Sequence, residues 1–307
     1  MKLILLEPIY KERIWGGHKI RDVFNYPIPS NKTGEAWTIS AHKEGSSIIK
    51  NGAYQGQTLR HLFQERKDLF GNTALSEFPL LVKLIDANDD LSVQVHPDDA
   101  GARQYNDLGK TECWYVLDCK ADTKLVFGHH AKNKEEFSSL VKQNKWDKLL
   151  NYQTVNPGDF LYVPAGKLHA LSKGMFVLEI QQSSNTTFRV YDYDRMDKDG
   201  NKRDLHIKET IDASFIPDRQ IKVQRLIKQI GKNRIERLVE SPYFTVEKWH
   251  INETFHYENS SYVLASVLKG KGIIDGVSVE VGDHFIITSK MKDIEINGSL
   301  ELMITYP

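Results

Sequence analysis

The chain has 307 residues, and its 41 basic and 41 acidic side chains give a formal net charge of zero. A balanced charge without basic runs argues against nucleic acid or an anionic membrane as the main partner, and no apolar run approaches the roughly 20 residues of a membrane span. The length exceeds that of one typical domain, and two cysteines, Cys113 and Cys119, are too few for a disulfide scaffold. We therefore expect a two-domain cytoplasmic protein, and the sequence does not indicate its oligomeric state.

Short alternating or apolar runs, separated by glycine, proline, asparagine and aspartate, make up most of the chain. This pattern is typical of many short antiparallel strands. Helical patterns occur mainly at residues 58–70, 133–150 and 207–213, with Thr58 and Asn133 as candidate N-caps. We predict a mainly β fold with a few short helical decorations.

Polar residues interrupt three of the predicted strands. Lys83 stands in the apolar run of residues 80–85, where a buried lysine would need a partner such as a substrate phosphate; a surface edge is the alternative. In the strand of residues 92–96, Gln94 and His96 share one face because side chains alternate. By the same alternation Lys110 and Glu112 share a face of the next strand.

The segment of residues 158–169 reads GDFLYVPAGKLH, with two turns around a short apolar strand. This spacing resembles the second metal-binding motif of the cupin β-barrels, and it would point His169 into a barrel from a rigid hairpin. Together with Gln94, His96 and Glu112, His169 gives a mixed nitrogen and oxygen ligand set. One carboxylate in such a set is typical of a catalytic zinc site.

The segment of residues 155–163 has a counterpart at residues 279–287, and Gly158 and Gly174 match Gly282 and Gly298 at the same offset. At that offset His169 becomes Asp293 and Glu179 becomes Met303. We therefore predict two cupin-like jelly-roll barrels: a catalytic one in residues 1–225, and one without metal ligands in residues 226–307.

Several motifs together resemble those of the type I, zinc-dependent mannose-6-phosphate isomerases in their short bacterial form. The matching segments cover nearly the whole chain: Ile14-Trp-Gly-Gly17, Gly34-Glu-Ala-Trp37, Gln94-Val-His-Pro97, Lys110-Thr-Glu112, the His169 turn, and the run from Glu179 to Asp192. The resemblance implies one Zn²⁺ per chain, with Gln94, His96, Glu112 and His169 as ligands. It also implies that Arg189 is an active-site arginine.

The family reaction interconverts mannose 6-phosphate and fructose 6-phosphate through an enediol, so the resemblance implies a phosphorylated hexose as substrate. Proton transfer beside a carbonyl needs a base within hydrogen-bond reach and an electrophile for the developing oxyanion. Glu179 and Lys110 are the candidates for proton transfer, and a neighbouring dication would lower the pKa of Lys110. Arg189 is placed to bind the enediolate or the phosphate, and Lys83 the phosphate.

Two other functions remain open at this stage. An iron cupin dioxygenase uses similar ligands, although its set usually begins with His-x-His rather than with Gln94. A non-catalytic sugar-binding cupin is the second alternative. The aspartates at positions 192, 194, 197 and 199 lack the glycine and terminal glutamate of a calcium loop, and we interpret them as a solvated turn.

Overall fold

The structure, a computed structural model, describes residues 2–196 and 200–307. Strands dominate the fold, as the alternating runs predicted. In chain order, strands β1 to β23 are Leu3–Glu7, Ile9–Gly17, Thr33–Ile39, Ala41–His42, Gly45–Ser46, Ile48–Ile49, Leu80–Ala87, Val93–Val95, Glu112–Asp118, Thr123–His129, Leu150–Val155, Phe160–Val163, His169–Ala170, Met175–Gln182, Phe188–Tyr191, Leu226–Ile230, Asn233–Glu240, Thr245–Ile251, Phe255–Glu258, Val263–Ile274, Val277–Glu280, His284–Ile287 and Asp293–Tyr306. Helices α1 to α6 are Lys19–Phe24, Leu59–Glu65, Asp99–Ala102, Lys134–Lys142, Trp146–Leu149 and Ile207–Ala213.

The chain divides into two compact units. One comprises Met1–Ile9, Trp37–Val82 and Lys222–Pro307, and we call it the C-terminal unit. The other comprises Tyr10–Ala36 and Lys83–Ile221, and we call it the site unit. The chain passes from the site unit into the C-terminal unit at Lys222, near the predicted boundary at 225/226. Two N-terminal segments also join the C-terminal unit. They do so because β1 pairs antiparallel with β22 on one side and with β6 on the other.

The C-terminal unit is built on a ten-stranded sheet in the order β16-β17-β18-β23-β20-β22-β1-β6, with β19 on β23 and β21 on β20. Its core is apolar, with Trp249, Phe255 and Phe285 among its larger side chains. The repeated turns have matching backbones, since φ is +94° at Gly158 and +90° at Gly282.

The site unit contains most of a six-stranded sheet in the order β12-β9-β14-β7-β3-β2 and a five-stranded sheet in the order β11-β10-β13-β8-β15, while residues 37–39 of β3 and 80–82 of β7 belong to the C-terminal unit. Antiparallel pairing brings distant segments into register: β9 runs beside both β12 and β14, and His169 of β13 pairs with Gln94 of β8. One apolar cluster of this unit includes Trp15 and Trp114, and a second includes Phe137 and Phe188.

Two of the three predicted helices occur with shorter bounds than the sequence pattern indicated, whereas α6 has the predicted bounds of residues 207–213. Thr58 caps α2, accepting a hydrogen bond from the His61 amide at 3.2 Å, and the remainder of that segment continues as the 3-10 turn Lys67–Phe70. Asn133 caps α4 in the same way. The predicted helix over residues 133–150 breaks in two because Asn144 adopts a left-handed φ of +52° between α4 and α5.

Two smaller expectations concern membrane-spanning helices and the aspartate run. No helix in residues 2–196 and 200–307 is long and apolar enough to span a membrane. In the aspartate run, Asp192 is buried and paired with Arg203, so it does not lie in a solvated turn as expected, while Asp197 and Asp199 lie outside the described residues.

Candidate metal centre and polar cavity

A polar cavity of about 280 Å³ opens within the site unit. Strands of both sheets line it: β2, β3, β7, β9 and β14 from the six-stranded sheet, and β8 and β15 from the five-stranded one. Its wall contains several charged and polar side chains: Arg13, Glu35, Lys83, Gln94, Lys110, Glu179, Arg189 and Arg203. Charged side chains in such a cavity need ligands or one another as partners.

His96, Glu112 and His169 converge within this unit. One potential ligand atom from each lies within 4.8 Å of the other two, and all three side chains are buried. The Nε2 atoms of His96 and His169 lie 3.4 Å and 3.3 Å from the two oxygens of Glu112. His96 follows β8, Glu112 opens β9 and His169 opens β13, so three strands fix the group.

Both imidazoles are oriented by main-chain carbonyls. Nδ1 of His96 lies 2.9 Å from the carbonyl of Thr186, and Nδ1 of His169 lies 2.8 Å from that of Lys167. A carbonyl oxygen can only accept, so each Nδ1 carries the donated hydrogen, and the neutral ring presents the Nε2 lone pair to Glu112. Burial keeps the rings neutral: it lowers the pKa of His169 to about 4 and that of His96 well below its usual value.

Glu112 is the acidic member of the group and is fully buried. Neither of its oxygens accepts a hydrogen bond of normal geometry from the described part of the chain, although Lys110 Nζ lies 3.1 Å from Oε2 as an ion pair. Burial raises the pKa of Glu112 to about 7, against the opposing effect of Lys110. A buried carboxylate that faces two imidazole lone pairs fits a divalent cation, which would satisfy all three groups.

Gln94 lies beside this group, paired in register with His169. Its Nε2 atom is 3.5 Å from Nε2 of His169. Rotation of the side-chain amide by 180° would present Oε1 at the same place. The structure therefore brings all four predicted metal ligands to one place.

Glu179 is held at a fixed position in the cavity wall by two partners. Lys83 Nζ lies 3.2 Å from Oε1, with both side chains about 5% exposed or less, and Trp114 donates a hydrogen bond of 2.9 Å to Oε2. Burial disfavours the carboxylate, but Lys83 and Lys110 outweigh it and lower the pKa of Glu179. Lys83 is thus buried and partnered within the protein.

Lys110 contacts the metal-ligand group directly, with Nζ 3.1 Å from Nε2 of His96. Burial penalises its ammonium, but Glu112 and Glu179 more than compensate and raise its pKa. The sequence led us to expect a lowered pKa from a neighbouring dication. Among the protein's own groups, the two carboxylates have the opposite effect.

Arg189 lies on β15, next to Gln94 of β8. Burial, and then the positive charge of Arg203, lower its pKa. Sequence reasoning assigned no role to Arg13 or Arg203, which also line the cavity. The alternation that places Arg13 and Trp15 on one face of β2 could have identified the first of them, whereas Arg203 follows β15 in a segment without a periodic pattern.

Comparison with known proteins agrees with this geometry. Residues 3–144 match the model for the phosphomannose isomerase type I catalytic domain, and residues 234–307 match that for the mannose-6-phosphate isomerase cupin domain. A Bacillus subtilis protein named "Probable mannose-6-phosphate isomerase GmuF" is 49% identical over 99% of both chains.

Solved structures extend the likeness to the whole fold. The crystal structure of the mannose 6-phosphate isomerase from Bacillus subtilis is 41% identical and covers 100% of both chains, with a TM-score of 0.97. A zinc-bound mannose 6-phosphate isomerase, 16% identical over 100% of this chain and 99% of its own, shares the fold with a TM-score of 0.80. The chain therefore belongs to the type I mannose-6-phosphate isomerase family, whose members interconvert mannose 6-phosphate and fructose 6-phosphate.

Proposed function

We propose that this chain interconverts mannose 6-phosphate and fructose 6-phosphate with one zinc ion held by Gln94, His96, Glu112 and His169. The observation that carries the proposal is the buried Glu112 carboxylate, which two oriented imidazoles face across less than 3.5 Å. A zinc ion supplies a Lewis acid that polarises a carbonyl and stabilises an adjacent oxyanion. Zinc also occurs in a structural relative of this fold.

The chain's own residues then move the proton between C2 and C1 of the open-chain sugar. Glu179 and Lys110 both line the cavity, so each can reach a bound substrate. Glu179 is held by Lys83 and Trp114, which fixes where its free lone pairs point. Lys110 contacts His96 and Glu112, which supports a role for its ammonium beside the oxygens of a sugar bound at the metal group.

Exchange of the C2 proton with deuterated solvent separates these two candidates. The variant that loses exchange without losing sugar binding identifies the base, and we compare Glu179→Gln with Lys110→Met. Loss of exchange in both would mean that proton transfer needs the pair, and unchanged exchange in both would remove both assignments.

A coupled assay of mannose 6-phosphate conversion, with and without a chelator, tests the overall proposal. We expect stoichiometric zinc, activity that does not depend on oxygen, and reversible loss of activity on chelation. His169→Ala should lose zinc and turnover, while the matched control His256→Ala, on the surface of the C-terminal unit, should retain both. Bound zinc without activity on any hexose phosphate would exclude the isomerase, and oxygen-dependent chemistry would favour the cupin dioxygenase.

The cytoplasmic location remains a proposal from the sequence. It is supported by the two cysteines, Cys113 and Cys119, which are buried free thiols rather than a disulfide. Reducing compartments favour that state.

A further inference from the structure

Three arginines line the cavity, and Arg13 lies far along the chain from the other two, Arg189 and Arg203. Arg13 lies on β2 and Arg189 on β15, which are the edge strands of the two sheets of the site unit. Arg203 comes from the segment after β15, and all three side chains line the cavity. The arginines are close enough for the charges of Arg203 and Arg13 to lower the pKa of Arg189.

Arg189 pairs in register with the predicted ligand Gln94, whereas Arg13 lies on a strand farther from the metal group. Glu112 and His169 lie on β9 and β13, which are interior strands of their sheets. In the six-stranded sheet, β14, β7 and β3 separate β9 from β2. Four strand-to-strand steps thus separate Glu112 from Arg13 along this sheet, so a ligand that contacts both has to extend across the cavity.

Two of the arginines are held in place by carboxylates. Arg13 forms a two-pronged ion pair with Glu35, through Nε at 2.8 Å and Nη2 at 3.2 Å. Arg203 likewise uses Nε and Nη2 to contact Asp192. Fixed guanidinium planes lose little conformational freedom when they bind an oxyanion, so these pairs prepare a site.

The third arginine is not neutralised. In residues 2–196 and 200–307 no carboxylate lies within ion-pair distance of the Arg189 guanidinium, and its Nε is buried without an acceptor. Asp192 and Asp204 act on Arg189 through their charge, but neither forms an ion pair with it, so its forked donors remain available to a ligand. A guanidinium of this kind beside two that are held in place suits a compact dianion with several acceptor oxygens.

We propose that Arg13 and Arg203, together with Arg189, form the subsite for the phosphate of the substrate. The inference rests on the proposed function, because it takes the phosphorylated hexose as the ligand. The sugar then extends from this subsite, with C1 and C2 at the metal group and Glu179. Lys83, which the sequence suggested as a phosphate contact, serves instead to hold Glu179, since it forms a buried ion pair with that carboxylate.

Kinetics on Arg13→Met and Arg203→Met test the subsite, with inorganic phosphate as a competing probe. Each variant should raise KM for mannose 6-phosphate by about tenfold or more, because each removes charged hydrogen bonds to the ligand. The inhibition constant of inorganic phosphate should rise in parallel, while kcat and zinc content stay close to wild type. Arg21→Met, an exposed arginine of the same unit, is the matched control and should change none of these values.

Charge-conserving variants keep the test decisive if a methionine variant folds poorly. Arg13→Lys and Arg203→Lys retain the charge but lose the planar guanidinium that Glu35 or Asp192 holds in place, so their KM should lie between wild type and the methionine variants. The subsite is refuted if folded variants at both positions leave KM and phosphate inhibition unchanged, or if kcat falls while KM does not move.

Direct binding separates this proposal from the proposed function. Calorimetric titration of the zinc-loaded protein with mannose 6-phosphate and with inorganic phosphate needs no turnover. An inactive wild type whose phosphate binding weakens in Arg13→Met and Arg203→Met would refute the isomerase and keep the subsite. An active enzyme whose phosphate binding is the same in both variants would keep the isomerase and refute the subsite.

Discussion

Replacing Lys83 with methionine should destabilise the protein, because it leaves the Glu179 carboxylate buried without its nearest cation. The two charged atoms are 3.2 Å apart, and the exposed fractions of the residues are 4% and 3%. Breaking a buried pair on one side typically costs about 3–5 kcal/mol in the free energy of unfolding. Lys110 also lowers the pKa of Glu179 and stays in place, so we expect a loss near the lower end, about 3 kcal/mol.

The double variant Lys83→Met/Glu179→Gln shows whether the loss comes from the stranded charge. Removing both charges leaves two groups of similar volume without an unpaired ion, so most of the stability should return. Urea unfolding with chelator present in every sample makes the comparison independent of metal affinity. A loss below about 1 kcal/mol in Lys83→Met, or a double variant no more stable than the single one, would contradict the reasoning.

The loss of unfolding free energy in Lys83→Met should also depend on pH. In the wild-type protein the pKa of Glu179 is lowered, so its pairing stabilises the folded state above the usual carboxyl pKa and is lost as the pH falls. Without Lys83 the pKa of the buried carboxyl rises, and protonation relieves the stranded charge. The difference in unfolding free energy between wild type and Lys83→Met should therefore shrink between pH 8 and pH 5.

Two further predictions concern other parts of the chain. Burial lowers the pKa of His284 in the C-terminal unit to about 3 from 6.5, so the unfolded chain takes up a proton first as the pH falls below 6.5. Between pH 7 and pH 5.5 the unfolding free energy of wild type should drop by about 1.3 kcal/mol more than that of His284→Phe, measured by urea unfolding; equal drops would show that the ring titrates normally. Gly166→Ala should cost about 2–3 kcal/mol and weaken zinc binding at the neighbouring hairpin, because φ is +91° and a Cβ would lie 2.9 Å from the Phe215 ring. The matched control Gly174→Ala has φ of +87° but no atom within 4 Å of a new Cβ, so a smaller loss there isolates the steric part; equal losses would assign the whole effect to the backbone.

Local pattern indicated which side chains of a single strand share a face, while the cupin-like spacing and the resemblance to the isomerase family joined them into one metal group. Alternation placed Gln94 with His96 and Lys110 with Glu112, and the turn at Gly158 fixed the direction of the strand that precedes His169. Each of these inferences depends on side-chain direction within one strand or hairpin, which the sequence determines. Short helices could be predicted for a similar reason, because the residue that caps a helix directly precedes it in the sequence.

Pairings between distant segments could not be predicted in the same way. The partner of Lys83 is Glu179 on β14, which becomes its neighbour only when β7 and β14 pair in the sheet. Strand order also determines that Arg13 at the N-terminal end shares a cavity with Arg203. The division into units has the same origin, because β1 joins the C-terminal sheet through register with β22 rather than through proximity in sequence.

The repeated turns explain why a cupin backbone alone does not give a metal site. Gly174 and Gly298, like the glycines that open the two turns, adopt positive φ, so both copies retain the backbone that the hairpin needs. At the ligand position, however, Asp293 is exposed, whereas His169 is buried. Met303 stands buried where Glu179 would be, and the strands of the second copy enclose an apolar core. The substitution Asp293→His would not create a metal site there, because a buried ligand also needs a carboxylate, an orienting carbonyl and a second imidazole.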